Sequence, residues 1–384
     1  MKIALILNDD FSMWHFRKGL ISTLVRTGID VYAITPDGPY VDKIKSLGAH
    51  HIPVTMYRFY SSFEDIKLFM NLYNIFRREK FDIVHTMTIK PNIYGSIAAK
   101  LAGIKRVVGL VSGLGYIFSN ANGLKPKILK IITCKIYSLA NKFSDKIWFQ
   151  NIDDLSYFVE KKLVSSGKAL LIKSGGINLE EYSNEFLNKR LLENLRNELE
   201  MKKSTKLCSM IVARLVWSKG IKEFVEASEI LYKYYDWKFI LVGPFEEDAP
   251  ESVPEQYLKE KRSKNLKILG HFRTDIKELI ALSDIVVLPS YYGEGVPRVL
   301  LEAMAIGKPI ITTNSVGCRE TVENGKNGYF VPPRDPKALA DAIEALINND
   351  KKRAQFGSYS RSKVEREFDE KIVVKRIIKE LYQL

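Results

Sequence analysis

The stretch from Ser283 to Ala305 restricts this chain more than any other part of it. Ile285-Val286-Val287-Leu288 is a short apolar run dominated by β-branched residues, the pattern of a strand buried on both faces of a parallel sheet. Pro289 cannot donate to a ladder and ends the run. A glycine-bracketed loop, Gly293-Glu294-Gly295, follows. Pro297 suits the first turn of a helix, where a missing N–H costs nothing. Leu300, Leu301, Met304 and Ala305 give that helix an apolar face. The N–H groups around Gly295, Val296, Arg298 and Val299 lie at its positive end, and such an end binds phosphate. Glu302 follows about one turn further in, where its two oxygens can accept both hydroxyls of a ribose. These residues suggest a nucleoside diphosphate at a helix start, with Glu294 and Glu302 on either side of it.

The same rhythm recurs along the chain. Strands are expected at 3–7, 30–34, 51–54, 81–85, 106–111, 146–150 and 169–172. Helices are expected between them at 16–27, 40–47, 63–78, 92–101, 124–143 and 153–162. In the helix at 63–78, Phe63, Ile66, Phe69, Met70, Tyr73 and Phe76 fall on one face. A glycine-containing linker at 173–178 and a charged segment at 186–203, read as mobile, interrupt the pattern. It restarts with strands at 207–213, 238–242, 266–269, 285–288, 309–312 and 329–331 and helices at 221–234, 337–348 and 368–382. Alternation of this kind makes an α/β chain of doubly wound parallel sheets. The expected domains are 1–178 and 179–367, with a closing helix at 368–384 that packs back on the first domain.

Charge divides the chain the same way. Residues 1–180 hold 25 Lys and Arg against 14 Asp and Glu, an excess of 11, whereas the remainder has an excess of 3. A basic surface suits nucleic acid, an anionic membrane or a phosphorylated substrate. The basic residues concentrate between Lys100 and Lys146, where nine face one acid, Asp145. In the same span Leu124, Ile128, Leu129, Ile131, Ile132, Ile136 and Leu139 form an apolar helix stripe. That pattern fits a helix in a lipid interface and equally a core-facing helix with a solvated basic face. Three scattered cysteines, Cys134, Cys208 and Cys318, form no metal or disulfide framework and fit a reducing compartment. The apolar run at 3–7 is too short for a signal peptide, and no run is long enough to span a bilayer.

Glu294 and Glu302, seven residues apart in the setting Glu-Gly-Val-Pro…Leu-Glu-Ala-Met-Ala, resemble the E-x7-E motif of family 4 glycosyltransferases. The preceding strand and the following Gly307-Lys308-Pro309-Ile310-Ile311 make the match specific. The resemblance implies a GT-B fold: two Rossmann-like domains with a cleft between them, the first binding acceptor and the second a nucleotide sugar. It covers nearly the whole chain. It is strongest to bacterial N-acetylgalactosaminyltransferases acting on undecaprenyl-diphosphate-linked diacetylbacillosamine. His15-Phe16-Arg17, Gly113-Leu114-Gly115, Gly176-Ile177-Asn178-Leu179, Lys219-Gly220 and Leu288-Pro289-Ser290-Tyr291 carry that part.

The family assigns roles to matching positions. Arg214 and Lys219, in Ala213-Arg214-Leu215-Val216-Trp217-Ser218-Lys219-Gly220, become the cations on the donor diphosphate. Charge on that leaving group grows as the sugar–oxygen bond breaks, and an Arg fork and a Lys point charge both answer it. With the helix N-terminus they replace a metal, so no cofactor is expected. Glu294 becomes the third catalytic residue, facing the donor sugar. Donor contacts fall to Glu302, the Gly295–Val299 segment, Gly243 and Arg273, although Gly243 also reads as a turn glycine and Arg273 as a loop arginine. Acceptor contacts fall to His15, Arg17, His85, Ser112 and Gly113. His85 equally reads as a structural histidine, and Ser112 stands where relatives often carry a histidine. Asn8-Asp9-Asp10 replaces the glycine pair frequent in the family's first loop.

The resemblance thus implies a retaining transferase that moves an N-acetylhexosamine from a UDP-sugar to a polyprenyl-diphosphate-linked glycan. It would be cytoplasmic and peripheral on the inner face of the membrane, with an anionic lipid surface and no nucleic acid as partner. A UDP-sugar 2-epimerase of the same architecture and a non-catalytic basic binding protein are the alternatives. The first would need histidines and carboxylates around its site, and the chain has five histidines in all.

Overall fold

A computed structural model describes residues 1–57, 61–113, 124–234, 236–246 and 251–384. The chain divides into two compact units, Met1–Gly176 with Glu370–Leu384, and Ile177–Asp369. The crossings run side by side: Ile177 N–H donates to the Phe368 carbonyl at 2.9 Å. A Cβ on Gly176 would stand 2.7 Å from Glu370 Cα, so glycine is needed there.

The first unit is built on seven parallel strands. They are β1 (Lys2–Ile6), β2 (Asp30–Thr35), β3 (His50–Pro53), β4 (Ile83–Met87), β5 (Arg106–Val111), β6 (Lys146–Phe149) and β7 (Ala169–Leu171), ordered β3-β2-β1-β4-β5-β6-β7. Side chains alternate between faces. Ile3, Leu5, Val108, Leu110 and Trp148 pack with the helix Asp10–Arg26 and the closing segment Glu370–Tyr382. Ala4, Ile6, Val84 and Val107 face the other way, under the helices Ser62–Glu79 and Ser96–Leu101. Val111, Ile147 and Phe149 continue that second face under the helix Leu124–Lys142.

The structure shows which stripe of two helices is buried. In Ser62–Glu79 the packed stripe is Leu68, Leu72, Ile75 and Phe76, whereas Phe63, Ile66 and Met70 are exposed. The helix carries two apolar stripes, and the one with leucines at i and i+4 meets the sheet. Among the described side chains of Leu124–Lys142, Thr133, Tyr137, Ala140 and Asn141 are buried and Ile128, Ile131, Ile132 and Leu139 face outward, while those of Leu124 and Leu129 lie outside the described residues.

The second unit has six parallel strands: β8 (Lys206–Ile211), β9 (Trp237–Val242), β10 (Leu266–Leu269), β11 (Ile285–Leu288), β12 (Ile310–Thr313) and β13 (Gly328–Val331), ordered β10-β9-β8-β11-β12-β13. Strand order reverses between β8 and β11, which pair in register Ile285 with Cys208. Ligands of open α/β sheets bind outside the carboxyl ends of strands at such a reversal. The segment 186–203 is not mobile-looking in the fold. It forms the helix Lys189–Glu198, anchored by Leu195 and Leu199 in the core. Helices Glu255–Lys261, Ile276–Leu282 and Asp350–Glu367 add to those expected. Among the described residues no helix is long and apolar enough to cross a membrane.

Candidate active site

The loops that follow β8 and β11 are laced together by backbone. The Ser218 carbonyl accepts from Tyr291 N at 2.9 Å and Tyr292 N at 3.1 Å. Gly220 caps the turn Trp217–Lys219 in the left-handed region at φ 85°, and a side chain there would collide with the Pro289 carbonyl. This close approach sets Lys219 Nζ against Glu294 Oε1 as an ion pair, both side chains nearly buried. Ser290 Oγ donates to the same Glu294 oxygen at 3.0 Å. The Lys219 ammonium also stands 5.1 Å from the Tyr292 ring centroid. Arg214 is on the same strand end, its Nε 3.7 Å from Glu246 Oε2.

Behind the loop, Gly317 sits at φ 74° with its Cα against the Gly295 and Glu294 carbonyls, where no side chain fits. Cys318 beside it is buried; burial, with Glu294's charge, pushes its thiol up to about 11, so it stays protonated and inert.

The helix Arg298–Ala305 begins after Pro297 with no side-chain cap. Its first bond runs from Leu300 N to the Pro297 carbonyl at 3.2 Å, so the Arg298 and Val299 N–H groups precede the ladder. This helix start follows Gly295 and Val296 directly in the chain. Glu302 is buried one turn in, but it does not offer two oxygens. Oε1 accepts from Tyr182 OH at 2.7 Å and from Arg298 Nε at 2.9 Å. Among the described residues Oε2 has no hydrogen bond, so the fold holds Glu302 through one oxygen. Burial and then Glu302's charge push the Tyr182 phenol well above its usual range. Burial opposes the Arg298 charge, and Glu302 with Tyr182 outweighs it, raising its pKa.

Gly243 follows β9, where a Cβ would stand 2.7 Å from the Val212 carbonyl oxygen; glycine is required by that packing. Arg273 departs from its expected role. It forks onto Glu198 at 2.7 and 2.9 Å and onto Asp275 at 2.8 and 2.6 Å, which occupies the guanidinium with internal carboxylates. Those hydrogen bonds, Asp275 first and Glu198 next, raise its pKa.

In the first unit the acceptor candidates scatter. Asp9, in the stretch that stands where the glycine pair is frequent, caps the helix Asp10–Arg26, its carboxylate accepting from Ser12 N at 2.5 Å. His15 lies on that helix, its ring 4.2 Å from Phe11 and 5.1 Å from Tyr40. Arg17 is buried instead of open to an acceptor. It donates to the Phe16 carbonyl at 2.8 Å, approaches Met87 Sδ at 3.0 Å and lies 5.2 Å from the Trp148 ring. His85 is fully buried with Nδ1 2.8 Å from Tyr382 OH, so it is a core histidine closed to acceptor. Burial, helped by the charge of Arg17, depresses its pKa well below 6.5 and keeps it neutral. Ser112 is exposed after β5, and Gly113 follows at φ 122°. Leu114, Gly115 and Tyr116 lie outside the described residues.

Two residues of the second-unit site, Tyr182 and Ser290, have no role that the sequence alone assigns. Tyr182 belongs to no motif and Ser290 only to Leu288-Pro289-Ser290-Tyr291, which assigns it no role; each donates to an oxygen of a glutamate that the E-x7-E pair contains.

Two doubly wound parallel sheets, with cations and an uncapped helix start at a strand reversal, define the class of nucleotide-sugar-type transferases. Residues 193–363 match the family described as Glycosyl transferases group 1, and residues 2–151 match Glycosyl transferase 4-like. The chain is 30% identical over 383 residues to the N,N'-diacetylbacillosaminyl-diphospho-undecaprenol alpha-1,3-N-acetylgalactosaminyltransferase of Campylobacter jejuni, covering 99% of this chain and 98% of that one. It is 29% identical to the UDP-Gal:alpha-D-GlcNAc-diphosphoundecaprenol alpha-1,3-galactosyltransferase of Escherichia coli, over 90% and 86% of the two chains. Anabaena Alr3699/HepE, solved with UDP and glucose, superposes with a TM-score of 0.80 over all of both chains at 22% identity, which speaks for the fold. The chain belongs to the family of glycosyltransferases with a group 1 C-terminal domain, and it is a glycosyltransferase of the GT-B fold, not an epimerase or a bare binding protein.

Proposed function

We propose that the enzyme is a retaining transferase that moves an N-acetylhexosamine from a UDP-sugar to a polyprenyl-diphosphate-linked glycan precursor. The observation that carries the donor half is the meeting of Lys219, Glu294, Arg214 and the Arg298–Ala305 helix start at one sheet edge. The acceptor half rests on the names of the full-length relatives, two of which act on undecaprenol-diphosphate-linked sugars.

In the reaction the bond between the sugar's anomeric carbon and the β-phosphate oxygen breaks. An acceptor hydroxyl oxygen bonds to that carbon on the same face, and its proton passes to the leaving phosphate. Arg214, Lys219 and the helix N–H groups answer the charge that grows on the diphosphate. Glu294, held by Lys219 and Ser290, faces the cation-like sugar. Glu302 Oε2 takes the ribose hydroxyls. These cations stand in for a metal, so turnover is expected in chelator.

The outward stripe of the Leu124–Lys142 helix supports attachment to an anionic membrane, at the inner face of the cytoplasmic membrane where a polyprenyl acceptor resides. Ile128, Ile131, Ile132 and Leu139 are 47–57% exposed, and Lys135 and Lys142 share their face. Exposed apolar residues flanked by cations suit a lipid interface.

The direct test is UDP release with a panel of UDP-sugars and polyprenyl-diphosphate-linked acceptors, with the anomeric configuration of the product read by NMR. Release with UDP-N-acetylhexosamines and an axial new linkage supports the reading. Transfer only to soluble acceptors, or inversion, overturns it.

A further inference from the structure

The helix Ser62–Glu79 covers the same face of the first sheet as Leu124–Lys142. Ile6, Val84 and Val107 beneath the one, and Val111, Ile147 and Phe149 beneath the other, share that face by strand alternation. Both helices pack against the intervening segment Pro91–Leu101. Whatever each leaves unburied therefore points away from the sheet on one side of the unit. On Ser62–Glu79 that outward side holds Phe63, Ile66 and Met70 at i, i+3 and i+7, exposed by 66%, 63% and 47%. Leu101, between the helices, is exposed as well.

We infer that this face is a lipid-docking platform with two ridges, in which Phe63, Ile66 and Met70 insert beside the basic helix. The inference rests on the proposed membrane attachment and adds a second, chemically different contact. Leu124–Lys142 has five lysines and no acid, so it is the electrostatic element. Ser62–Glu79 balances Lys67, Arg77 and Arg78 with Glu64, Asp65 and Glu79, so its contribution is apolar. Lys67 lies over the Phe63 ring at 4.1 Å, an arrangement that lets the ammonium stay at the headgroups while the ring goes down. Charge selects lipid over a second copy of the chain. Two copies joined through this face would bring like-charged lysine helices together, whereas anionic lipid complements them.

The experiment is co-sedimentation of the full chain with phosphatidylcholine vesicles, with and without phosphatidylglycerol, at low and high salt. The triple variant Phe63→Ser, Ile66→Ser, Met70→Ser is compared with Lys135→Glu, Lys142→Glu. The triple variant alters exposed side chains only, and its thermal melt should match the parent. It is expected to bind anionic vesicles about tenfold or more weaker at both salt concentrations, the effect of losing apolar burial. The lysine variant should lose the salt-sensitive part. If the triple variant binds like the parent while the lysine variant fails, the second ridge is wrong and the membrane reading stands. If the parent binds no vesicle, the membrane reading itself fails. If lipid-free sedimentation velocity shows a parent dimer that the triple variant dissolves, the face joins copies of the chain, and the inference is overturned.

Discussion

The Tyr182 hydroxyl donates to Glu302 Oε1 at 2.7 Å, and that bond fixes which oxygen of Glu302 can reach a ligand. Arg298 takes the same oxygen, which leaves Oε2 for the ribose of the proposed donor. Glu302→Ala should weaken UDP binding by roughly 1.5–3 kcal/mol, the range for hydrogen bonds to a charged group. Tyr182→Phe keeps the carboxylate but loosens it, and should cost about 1 kcal/mol. Calorimetry with UDP and 2′-deoxyuridine diphosphate separates the roles. Both variants should narrow the preference for the ribose form. Unchanged UDP affinity in a folded Glu302→Ala protein would remove Glu302 from the donor site.

Arg214 and Lys219 should act on the transition state more than on the bound donor. Each alanine variant is expected to lose about 100-fold or more in kcat, the scale for one preorganised donor, with a smaller change in KM for the UDP-sugar. Lys219→Ala should be the worse of the two, because it also leaves the nearly buried Glu294 carboxylate without its cation. Turnover in EDTA should match turnover without it. Loss in chelator that a divalent ion restores would show that these cations are not the diphosphate's counter-charge.

Strand positions were legible because buried parallel strands are short β-branched runs; 285–288 and 106–111 match to the residue. The motif loop was legible for the same reason, since its glycines and prolines punctuate the chain where backbone must turn or approach. Helix faces were less so. Ser62–Glu79 has two apolar stripes, and periodicity alone does not say which one the sheet takes. Lys189–Glu198 and Asp350–Glu367 are so charged that their few anchors, Leu195 in one and Phe356 and Val364 in the other, are easily overlooked. Partner choice was the least legible. Arg273, Arg17 and His85 have the right residue type for a ligand, and tertiary packing gives each an internal partner that sequence distance conceals.

Arg273 tests that last point. Its fork holds Glu198 and Asp275, so Arg273→Ala should destabilise the second unit by about 1–3 kcal/mol, leaving two carboxylates unanswered. UDP affinity should stay within about twofold, well under one tenfold step of 1.4 kcal/mol. Denaturant unfolding and UDP titration of the same variant check both halves. A large loss of UDP binding with unchanged stability would return Arg273 to the donor site.

His85 gives the fold a pH signature. Its folded pKa lies below 6.5, so between the two values the unfolded chain binds a proton that the folded one refuses. Stability should therefore fall as pH drops below about 6.5, with a limiting slope of about 1.4 kcal/mol per pH unit, and level off below the folded pKa. His51 is also depressed, chiefly by burial, and contributes in the same direction. The difference between parent and His85→Gln melting profiles isolates His85. Identical pH slopes in the two proteins would mean that His85 titrates in the fold as it does in the unfolded chain, so that its pKa is not depressed.

Gly317→Ala and Gly325→Ala form a matched pair for the catalytic loop. Both glycines have positive φ, 74° and 79°, so both substitutions cost about 1–3 kcal/mol of backbone strain. A Cβ at Gly325 meets nothing within 4 Å, whereas one at Gly317 runs into the carbonyls of Glu294 and Gly295. The loop must then shift, carrying Glu294 away from Lys219 and from the sugar it is proposed to face. A displacement of about 1 Å at a reacting centre can cost on the order of 100-fold. Gly317→Ala should therefore lose about that much kcat, while Gly325→Ala, with a similar drop in Tm, should keep its activity. Equal kcat in the two variants would show that the Glu294 loop tolerates displacement, and that Glu294 is not held in a catalytic position.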